Sequence, residues 1–461
     1  MPAGGATARS VAFETLRRVE ERGAYADAVL GTRLTRVRLS AADQALATRL
    51  VYGTLAWQGR LDWHLAQLCT SPPQRLDPWL RVILRLGLYQ ILFLDRVPAY
   101  AAVDTSADLA HGFRRGAATG LVNATLRRAA AESAALALPD ASVDPLHACA
   151  VRWSHPVWLV ARWREELGES DLESLLRADQ EPAPTVVRVN PLRTNRTTLI
   201  ETLRATGLPA ASTTCYSPAG IRLDGPLHEA AAVIPEGLCT VQSEASQLVA
   251  YLVAPRPAER ILDACAAPGG KATHLASLMH NCGEVLAVDV SEGGLAQVRQ
   301  RSAALGISII RTRRADARLL VEDAPEVSAG RLFDRVLVDA PCSGLGTLRS
   351  HPELRWRVQA GDENKLSLLQ VDILRSVARL CVHGGLLVYA TCTISRAEND
   401  AVIERFLSEH PNFRLEDPRP DLPASIRSLV DHQGFLRTFP HRHDIDGFFA
   451  ARLRHRGSRA A

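Results

Sequence analysis

Apolar residues recur at helical spacing through about the first 135 residues of the chain. The segment SVAFETLRRVEERG has this period and ends at Gly23. A second segment opens at Ser40 and Asp43, which approximate a capping box, and a third begins with Asp77 as N-cap and Pro78 at the first helical position. Two further segments, VPAYAAVDTSADLAHGF and GAATGLVNATLRRAAAES, complete a predicted helical bundle whose core takes most of the Leu and Trp side chains.

Between about residue 136 and residue 235 the pattern changes to short mixed elements. The stretch WSHPVWLVARWREELGESDLESLLRAD predicts one or two short helices, and APTVVRVNPLRTNRTTLIETLRATGLPA predicts a strand, a turn and a helix. A further strand is predicted at CYSPAGIRL, which together makes a small α+β module. The run RVNPLRTNR places three Arg and two Asn near a turn, where they could grip phosphate; a solvated loop fits equally well.

Strands and helices alternate from about residue 236 to residue 456. The predicted strands are ERILDACA, GEVLAVDV, SIIRTRRADA, FDRVLVDAP and GGLLVYATC, and a C-terminal pair lies near GFLRTFPHRHD and IDGFFAARLR. This alternation is typical of a doubly wound, mostly parallel sheet. The chain of 461 residues is therefore predicted to have three domains: a helical bundle over 1–140, an α+β connector over 141–235 and an α/β domain over 236–461.

Charge is distributed unevenly along the chain. Residues 1–130 contain 17 Arg and no Lys against 10 Asp plus Glu, a balance of +7, so the rest of the chain carries −3 of the total of +4. A basic front on a slightly acidic remainder indicates a polyanionic partner such as nucleic acid, although ordinary solvated helix faces also explain it. Lysine occurs only at 271 and 365, and Lys271 is the better functional candidate because it lies in a glycine-rich turn.

Composition limits the compartment and the possible cofactors. The N-terminal stretch lacks the apolar region of a signal peptide, and no run of 18 apolar residues indicates a membrane span. Nine scattered cysteines are typical of reduced thiols in the cytoplasm, and the absence of Cys-x-x-Cys argues against a zinc site. We therefore expect a cytoplasmic protein with no membrane contact and no metal.

Acidic residues follow three predicted strands at the edge where doubly wound sheets bind ligands. The first strand leads from Asp263 into the small-residue loop ACAAPGGK, which lets a ligand approach the backbone at the next helix. Neither a Gly-x-Gly-x-x-Gly nor a Walker motif is present, which disfavours a dinucleotide or a nucleoside triphosphate. Asp289, 19 residues after Gly270, can bind both ribose hydroxyls, and Asp316 can accept from an adenine amine. This set suits a nucleoside cofactor without phosphates, such as S-adenosylmethionine.

Two cysteines follow the next two strands. Cys342 lies three residues after Asp339 at the end of the fourth strand, and Cys392 ends the fifth in YATCT. A single cysteine in such a place is usually a small packing residue. Two of them at neighbouring strand ends on the ligand side favour sulfur chemistry.

These motifs resemble those of the RNA 5-methylcytosine methyltransferases of the RsmB (Sun, Fmu) type, which modify small-subunit ribosomal RNA. DACAAPGGKATHLA resembles the cofactor motif, and DAPCSGLGTLRSHPELRW, YATCT and FPHRHDIDGFFAARL resemble three later motifs. VQSEASQLVA, WSHPVWLV and RVNPLRT resemble the entry segment and the connector, and GLVNATLRR with its preceding helices resembles the NusB-type RNA-binding bundle. The chain departs from the family at Ser243, where Asp is frequent, and at Ala315, where Gly is frequent.

The resemblance implies a NusB-like N-terminal domain, a connector and a Rossmann-like class I methyltransferase domain that uses S-adenosylmethionine. It implies that Cys392 adds to carbon-6 of cytosine, that carbon-5 is methylated, and that Cys342 assists product release. It also implies that Asp339 binds the cytosine edge and that Lys271 places a cation beside it, while Cys265 packs within its loop. The residues expected to hold the cofactor are Cys265, Ala266, Ala267, Pro268, Gly269, Gly270, Lys271, Asp289, Asp316 and Asp339.

The implied substrate is single-stranded or loop RNA of the small ribosomal subunit, because its bases are unstacked at lower cost. Arg349, Arg355, Trp356 and Arg357 follow the fourth-strand motif and could hold phosphates and stack a base, although burial of Trp356 fits equally well. The protein is expected to be a monomer. Three alternatives stay open from the residues: a DNA cytosine-5 methyltransferase, a non-enzymatic RNA-binding factor and an amino-group methyltransferase. Cys392 argues against the DNA methyltransferase, and the complete cofactor loop argues against the non-enzymatic factor. The absence of an aromatic residue after Pro341 argues against the amino-group methyltransferase.

Overall fold

A computed structural model describes residues 6–114, 116, 118–205, 211–223, 236–323 and 332–456. The chain forms two compact units, one of Met1–Pro182 with Leu348–Gln359 and the other of Ala183–Thr347 with Ala360–Ala461. The three-domain boundaries expected from the sequence stay a prediction.

The first unit is helical, as its apolar periodicity predicts. The capping chemistry is partly as expected: the first helix ends at Gly23 in the left-handed conformation (φ 61°), and the Ser40 hydroxyl accepts from the Asp43 N–H at 3.1 Å. Asp77 is the N-cap of its helix and Pro78 its first residue, as predicted, although the Asp77 side chain makes no capping hydrogen bond. The α-helices span Ala8–Arg22, Ala26–Arg36, Ala41–Ala56, Gln58–Leu68, Pro78–Phe93, Ala99–Arg114, Thr119–Glu132, Pro145–Arg152, Val157–Leu167, Glu169–Ala178 and Leu354–Arg357.

The segment 348–359 belongs to this helical unit, although it directly follows the Cys342 motif in sequence. Arg355 is 0 % exposed and donates to the backbone oxygens of Ala56, Ser154 and Asp179 at 3.1–3.2 Å. A buried guanidinium needs hydrogen-bond acceptors, and these three backbone oxygens supply them to Nη1 and Nη2 of Arg355. The expectation that Arg355 holds RNA phosphate is therefore wrong.

The neighbours of Arg355 are also occupied within the same unit. Arg349 donates to the Pro182 oxygen at 3.0 Å, and Arg357 donates to the oxygen of Ala24. Trp356 packs on the helix Gln58–Leu68, where a side chain at Gly59 would overlap its ring. The burial interpretation of Trp356 thus describes the structure better than base stacking.

The second unit contains a small antiparallel sheet formed by β1 (Thr185–Val189), β2 (Ala211–Thr213), β3 (Gly220–Leu223) and β4 (Cys239–Val241). Their order in the sheet is β2-β3-β1-β4. The helix Arg196–Ala205 packs on it through Leu199 and Leu203. This confirms the predicted strand, turn and helix.

The phosphate-gripping interpretation of RVNPLRTNR is wrong for Arg188. That side chain is 1 % exposed and donates to Gln242, to the Gly270 oxygen at 2.6 Å and to Thr273 Oγ1 at 3.0 Å. It therefore stabilises the first turn of the helix Gly270–Leu278. Arg196 also binds the protein backbone, because it donates to the Ser217 oxygen at 3.2 Å.

The large sheet confirms the predicted doubly wound fold class. Its strands are β5 (Arg260–Asp263), β6 (Glu284–Asp289), β7 (Ile310–Arg314), β8 (Phe333–Asp339), β9 (Cys381–Thr391), β10 (Phe413–Leu415), β11 (Leu436–Thr438) and β12 (Phe448–His455). Their order in the sheet is β10-β12-β9-β8-β5-β6-β7, with β11 paired to β12. The central strands β9, β8, β5, β6 and β7 are parallel, whereas β12 joins β9 antiparallel.

Helices cover both faces of this sheet, which explains the near-continuous apolar runs of its central strands. Strand β10 was not expected, because three residues carry too short a pattern to be recognised. In the described part of this unit, the α-helices besides Arg196–Ala205 are Glu244–Val253, Gly270–Leu278, Glu292–Leu305, Leu320–Asp323, Asp362–Ala378, Asp400–Glu409, Ala424–Arg427 and Pro440–His443. Within the described residues, no helix has both the length and the apolar character needed to cross a membrane.

Candidate active site

The candidate site lies at the carboxyl ends of four adjacent strands of the large sheet. The chain leaves β5 towards β6 on one side, while β8 pairs with β5 on the other, which makes this the topological switch point. Register places Asp263 beside Ala287 of β6, and Asp339 beside Ala390 of β9. The acids and thiols predicted from four separate motifs are therefore brought to one edge.

Backbone hydrogen bonds fasten the loop after β5 to its neighbouring strands. Ala264 N–H donates to the Leu337 oxygen and Ala266 N–H to the Val288 oxygen, both at 2.9 Å. Gly269 adopts φ 95°, and a Cβ there would lie 3.0 Å from the Val298 Cα, so only glycine suits the position. These contacts hold the loop against the strands on both sides of β5.

Asp289, at the end of β6, accepts hydrogen bonds from two backbone N–H groups, and its role as a ribose acceptor stays a prediction. Its Oδ2 accepts from Ala267 N–H at 3.0 Å and its Oδ1 from Ser291 N–H at 2.8 Å. A carboxylate offers about four acceptor positions, so hydroxyl groups can still be bound after two are used.

Asp316 has a partner that the sequence analysis did not anticipate. Its carboxylate forms an ion pair with Arg318, with Oδ2 and Nη2 2.6 Å apart. The hydrogen bond from Arg318 lowers the pKa of Asp316 below its ordinary value. The contact with an adenine amine stays a prediction.

Lys271 and Asp339 form an ion pair between the first turn of the helix Gly270–Leu278 and the end of β8. The Lys271 Nζ lies 2.5 Å from Asp339 Oδ2 and 5.3 Å from the ring centroid of Phe448. Burial opposes the charge on Lys271, but attraction to Asp339 outweighs it and raises the pKa of the ammonium. Lys271 is therefore a fixed cation in the site.

Asp263, at the end of β5, is fully buried beside this pair. Neither of its oxygens has a side-chain hydrogen-bond partner among the described residues. Burial, followed by repulsion from Asp339, raises the pKa of Asp263 to about 7, although Lys271 opposes the shift. Burial and the same acids also raise the pKa of Cys265 well above its ordinary value, which favours the neutral thiol.

Asp263→Asn is expected to change the pH dependence of stability. Because the folded-state pKa of Asp263 is raised, wild type loses stability as the pH increases from about 4 through 7, and the asparagine variant lacks this loss. The unfolding free energy of the variant relative to wild type should therefore grow by roughly 2 kcal/mol between pH 5 and pH 8. Urea titrations at both pH values measure this, with Asp372→Asn on an exposed helix face as control. Equal differences at the two pH values would contradict the assignment.

The two cysteines are in contact. The Sγ atoms of Cys342 and Cys392 are 3.4 Å apart. Hydrogen bonding with Cys392, burial, and the negative charge of Glu398 raise the pKa of Cys342 well above its ordinary value. Cys342 is thus held as a neutral thiol, while Lys271 interacts electrostatically with Cys392.

Glycines bring the Cys392 loop close to its neighbours. Gly346 N–H donates to the Cys392 oxygen at 3.0 Å, and Gly447 N–H donates to the Gly346 oxygen at 2.7 Å. A Cβ on Gly346 would lie 1.9 Å from the Gly447 backbone oxygen, so any side chain at this position would clash with that oxygen. The close approach of these two backbones therefore requires glycine at position 346.

Sequence reasoning missed a buried polar cluster behind the cysteines, centred on Glu398. Its carboxylate contacts Ser343 and Gln370, and Ser343 contacts Thr393. Ser343 and Thr393 each directly follow one of the two cysteines, which is the one signal in the sequence that pointed to them. Among the described residues, no group of three or more His, Cys, Asp or Glu side chains is arranged to hold a metal ion.

The second unit belongs to the class of Rossmann-like methyltransferases. It has a doubly wound sheet, a small-residue loop after β5 without a phosphate-binding motif, and an acid, Asp289, at the end of β6. Comparisons with known proteins narrow this class. The family model described as "16S rRNA methyltransferase RsmB/F" matches residues 250–454. The NusB family model matches residues 6–131, and that of the RsmF/B-like ferredoxin-like domain matches residues 155–229.

Relatives match over nearly the whole chain. A probable ribosomal RNA small subunit methyltransferase B of Bacillus subtilis is 35% identical, over 97% of this chain and 99% of the relative. The ribosomal RNA small subunit methyltransferase B of Pseudomonas syringae is 35% identical over 96% of both chains. A crystal structure titled PH0851 superposes with a TM-score of 0.81 at 30% identity, covering 96% of this chain and 97% of that one. The chain belongs to the RsmB/F family of 16S rRNA methyltransferases, so it is an enzyme, and the non-enzymatic alternative is wrong.

Proposed function

We propose that this protein transfers a methyl group from S-adenosylmethionine to carbon-5 of a cytosine in 16S rRNA through a covalent cysteine adduct. The observation that carries the proposal is the contact of two thiols at 3.4 Å at the ends of adjacent parallel strands, with an ion pair on the neighbouring loop and strand end. RNA base methylation without an adduct would need neither thiol.

The residues around the loop after β5 suit S-adenosylmethionine. The loop is fastened in place, Asp289 retains acceptor positions for ribose hydroxyls, and no phosphate-binding motif is present. We assign the holding of the cofactor to residues 265–271 with Asp289, Asp316 and Asp339. When bound, S-adenosylmethionine supplies an electrophilic methyl group, which cytosine carbon-5 attacks.

Cys392 is proposed as the nucleophile. Its thiolate forms a bond to carbon-6, and the electron pair of the 5,6 double bond moves so that carbon-5 becomes nucleophilic, which is covalent catalysis. The Lys271 ammonium favours the thiolate form of a nearby cysteine. Cys342, held as a neutral thiol, does not compete for carbon-6. After loss of the carbon-5 proton the sulfur–carbon bond breaks, and Cys342 assists this release.

Asp339 is proposed to select cytosine. Its Oδ2 is bound to Lys271, and its Oδ1 can accept from the exocyclic amine of cytosine. Uracil presents a carbonyl oxygen at that position, which an ionised carboxylate repels. Lys271 keeps this carboxylate oriented.

The RNA-binding surface is proposed to be the basic helical unit, whose first 130 residues carry +7. Such contacts give sequence-tolerant affinity that falls steeply with salt. A loop or single-stranded region of 16S rRNA presents the target base with the least unstacking. Acting on ribosomal RNA places the protein in the cytoplasm, and we propose that it acts as a monomer.

The test is to identify the product. Unmodified 16S rRNA is incubated with the protein and radiolabelled S-adenosylmethionine, and the nucleosides are analysed by mass spectrometry. We expect 5-methylcytidine from wild type and an approximately 10²-fold lower rate from Lys271→Ala, because an oriented charged group is lost. Lys365→Ala is the matched control, since Lys365 is the other lysine and its side chain is 79% exposed. A methylated amino group or ribose in place of 5-methylcytidine would refute the proposal.

A further inference from the structure

We propose that Glu398 is a positioning residue for methyl transfer: its buried carboxylate holds the loop bearing Cys342 against the loop bearing Cys392. The role in catalysis rests on the proposed two-cysteine function, whereas the role in holding the loops can be tested without it.

Glu398 binds the residue that follows Cys342. Its Oε2 accepts from the Ser343 backbone N–H at 2.9 Å, and its Oε1 accepts from the Ser343 hydroxyl at 2.5 Å. The carboxylate therefore fixes both the backbone and the side chain of Ser343. A displacement of Glu398 would move the adjacent Cys342.

The contact continues to the residue that follows Cys392. The Ser343 and Thr393 hydroxyl oxygens are 2.9 Å apart. Since the single Ser343 proton is donated to Glu398, the Thr393 hydroxyl must donate to Ser343. One carboxylate thus orders a chain of two hydroxyls that links the two cysteine loops.

Further hydrogen bonds brace both ends of this link. Gln370, on the helix Asp362–Ala378, donates to Glu398 Oε2 at 3.0 Å and to the Pro341 oxygen at 2.9 Å, one residue before Cys342. Asn399 donates to the Thr393 oxygen at 2.9 Å and accepts from the Thr391 hydroxyl at 2.6 Å. Glu398 and Gln370 therefore bind the backbone on each side of Cys342, while Asn399 binds the Thr391 hydroxyl and the Thr393 backbone oxygen on the two sides of Cys392.

Glu398 is buried, and burying a carboxylate costs free energy that its hydrogen bonds must offset. The side chain is 0 % exposed, and a buried carboxylate is tolerated only when it is well hydrogen-bonded. Burial raises the pKa of Glu398, although the hydrogen bonds from Ser343 oppose the shift. Its negative charge in turn contributes to keeping Cys342 in the thiol form.

Two substitutions separate geometry from charge. Glu398→Ala removes the acceptors and releases both loops. Glu398→Gln keeps the shape: its amide oxygen can replace Oε2, and its amide N–H can donate to the Ser343 hydroxyl, which then donates to Thr393. Glu244→Ala is the matched control, because Glu244 is also buried and also accepts two backbone N–H groups, from Tyr216 and Ser217, which lie outside both cysteine loops.

The first measurement is the rate of disulfide formation between Cys342 and Cys392, which reports how closely the two loops hold the sulfur atoms together. Diamide oxidises the two thiols to a disulfide and is itself reduced to the hydrazine, so the reaction needs neither RNA nor S-adenosylmethionine. Peptide mapping follows the Cys342–Cys392 bond over time, in a background with the exposed Cys215 and Cys282 changed to Ser. We expect Glu398→Ala to lower the rate of disulfide formation about tenfold, because small misplacements strongly reduce intramolecular rates. The rates of Glu398→Gln and Glu244→Ala should stay within about twofold of the wild-type rate.

The second measurement is steady-state methyl transfer. We expect Glu398→Ala to lower kcat about 10²-fold with little change in the KM for S-adenosylmethionine, and Glu398→Gln to restore most of the rate. If Glu398→Ala does not fold, Ser343→Ala replaces it, because that change cuts the hydroxyl link and leaves Glu398 in place. It should slow disulfide formation about threefold or more.

Unchanged disulfide formation in folded Glu398→Ala, or in Ser343→Ala, would overturn the proposal. So would a loss of kcat in Glu244→Ala equal to that in Glu398→Ala, because the effect would then be general destabilisation. If wild type makes no 5-methylcytidine but Glu398→Ala still slows the disulfide, the loop-holding role is supported and the proposed function fails.

Discussion

Cys392→Ala is expected to abolish both methyl transfer and the denaturant-resistant protein–RNA adduct. The sulfur is the proposed nucleophile, so without it carbon-5 of cytosine is not activated, and loss of a nucleophile typically costs roughly 10³-fold or more in rate. The cofactor loop and the Lys271–Asp339 pair do not depend on this sulfur for their contacts. Binding of S-adenosylmethionine should therefore survive the substitution. Radiolabel incorporation and calorimetric titration of the cofactor measure the two effects.

The same strand offers a matched control for this variant. Cys381 begins β9, whereas Cys392 directly follows its last residue. Cys381 is buried in the sheet core, so Cys381→Ala removes a buried sulfur without touching the site. We expect it to cost some stability, about 1 kcal/mol, and to retain activity. Methylation by Cys392→Ala at more than a few per cent of the wild-type rate would refute the nucleophile assignment.

The sheet was predictable because its central strands are apolar runs separated by helical patterns. That alternation determines which strand ends share an edge, so the sequence alone predicts that Asp263, Asp289 and Asp339 lie together. The two cysteines follow from the same rule. Their distance of 3.4 Å does not, because it depends on how Gly346 and Gly447 let the backbones approach.

Side-chain partners were harder to predict. Arg355 and Arg188 look like ordinary phosphate-binding residues in the sequence, but both are buried and donate to backbone and side-chain oxygens. A guanidinium offers five donors wherever it lies, and only the fold decides whether RNA or backbone meets them. The pairing of Asp316 with Arg318 was not predicted for a similar reason. Side chains two residues apart contact each other only in a turn such as the one that the chain forms there.

Glu398 shows the limit of motif reading most clearly. It lies six residues after Cys392 and just before the helix Asp400–Glu409, where an acid is ordinary because it suits a helix N-terminus. Its partners come from the loop at Ser343 and from Gln370, which are distant in sequence. Apolar periodicity and spacing carry no information about such a contact.

Cys342→Ala is expected to trap the enzyme on its RNA. The variant retains Cys392 and Lys271, so the adduct can form and one methyl group can be transferred per enzyme molecule. Release should then fail, because the thiol that lies 3.4 Å from Cys392 is absent. We expect multiple-turnover kcat to fall by about 10²-fold or more, the usual scale for loss of an acid–base partner, while a denaturant-resistant protein–RNA band accumulates.

A gel-shift assay under denaturing conditions, with radiolabelled 16S rRNA, distinguishes the roles of the two sulfurs. The double variant Cys342→Ala, Cys392→Ala is the control and should form no adduct, since the accumulated species depends on Cys392. An inactive Cys342→Ala without adduct, together with an active Cys392→Ala, would reverse the roles and assign the attack to Cys342. Hydrogen bonding with Cys392, burial and the charge of Glu398 raise the pKa of Cys342, and a neutral thiol has a proton to donate, which suits the release role rather than the attack.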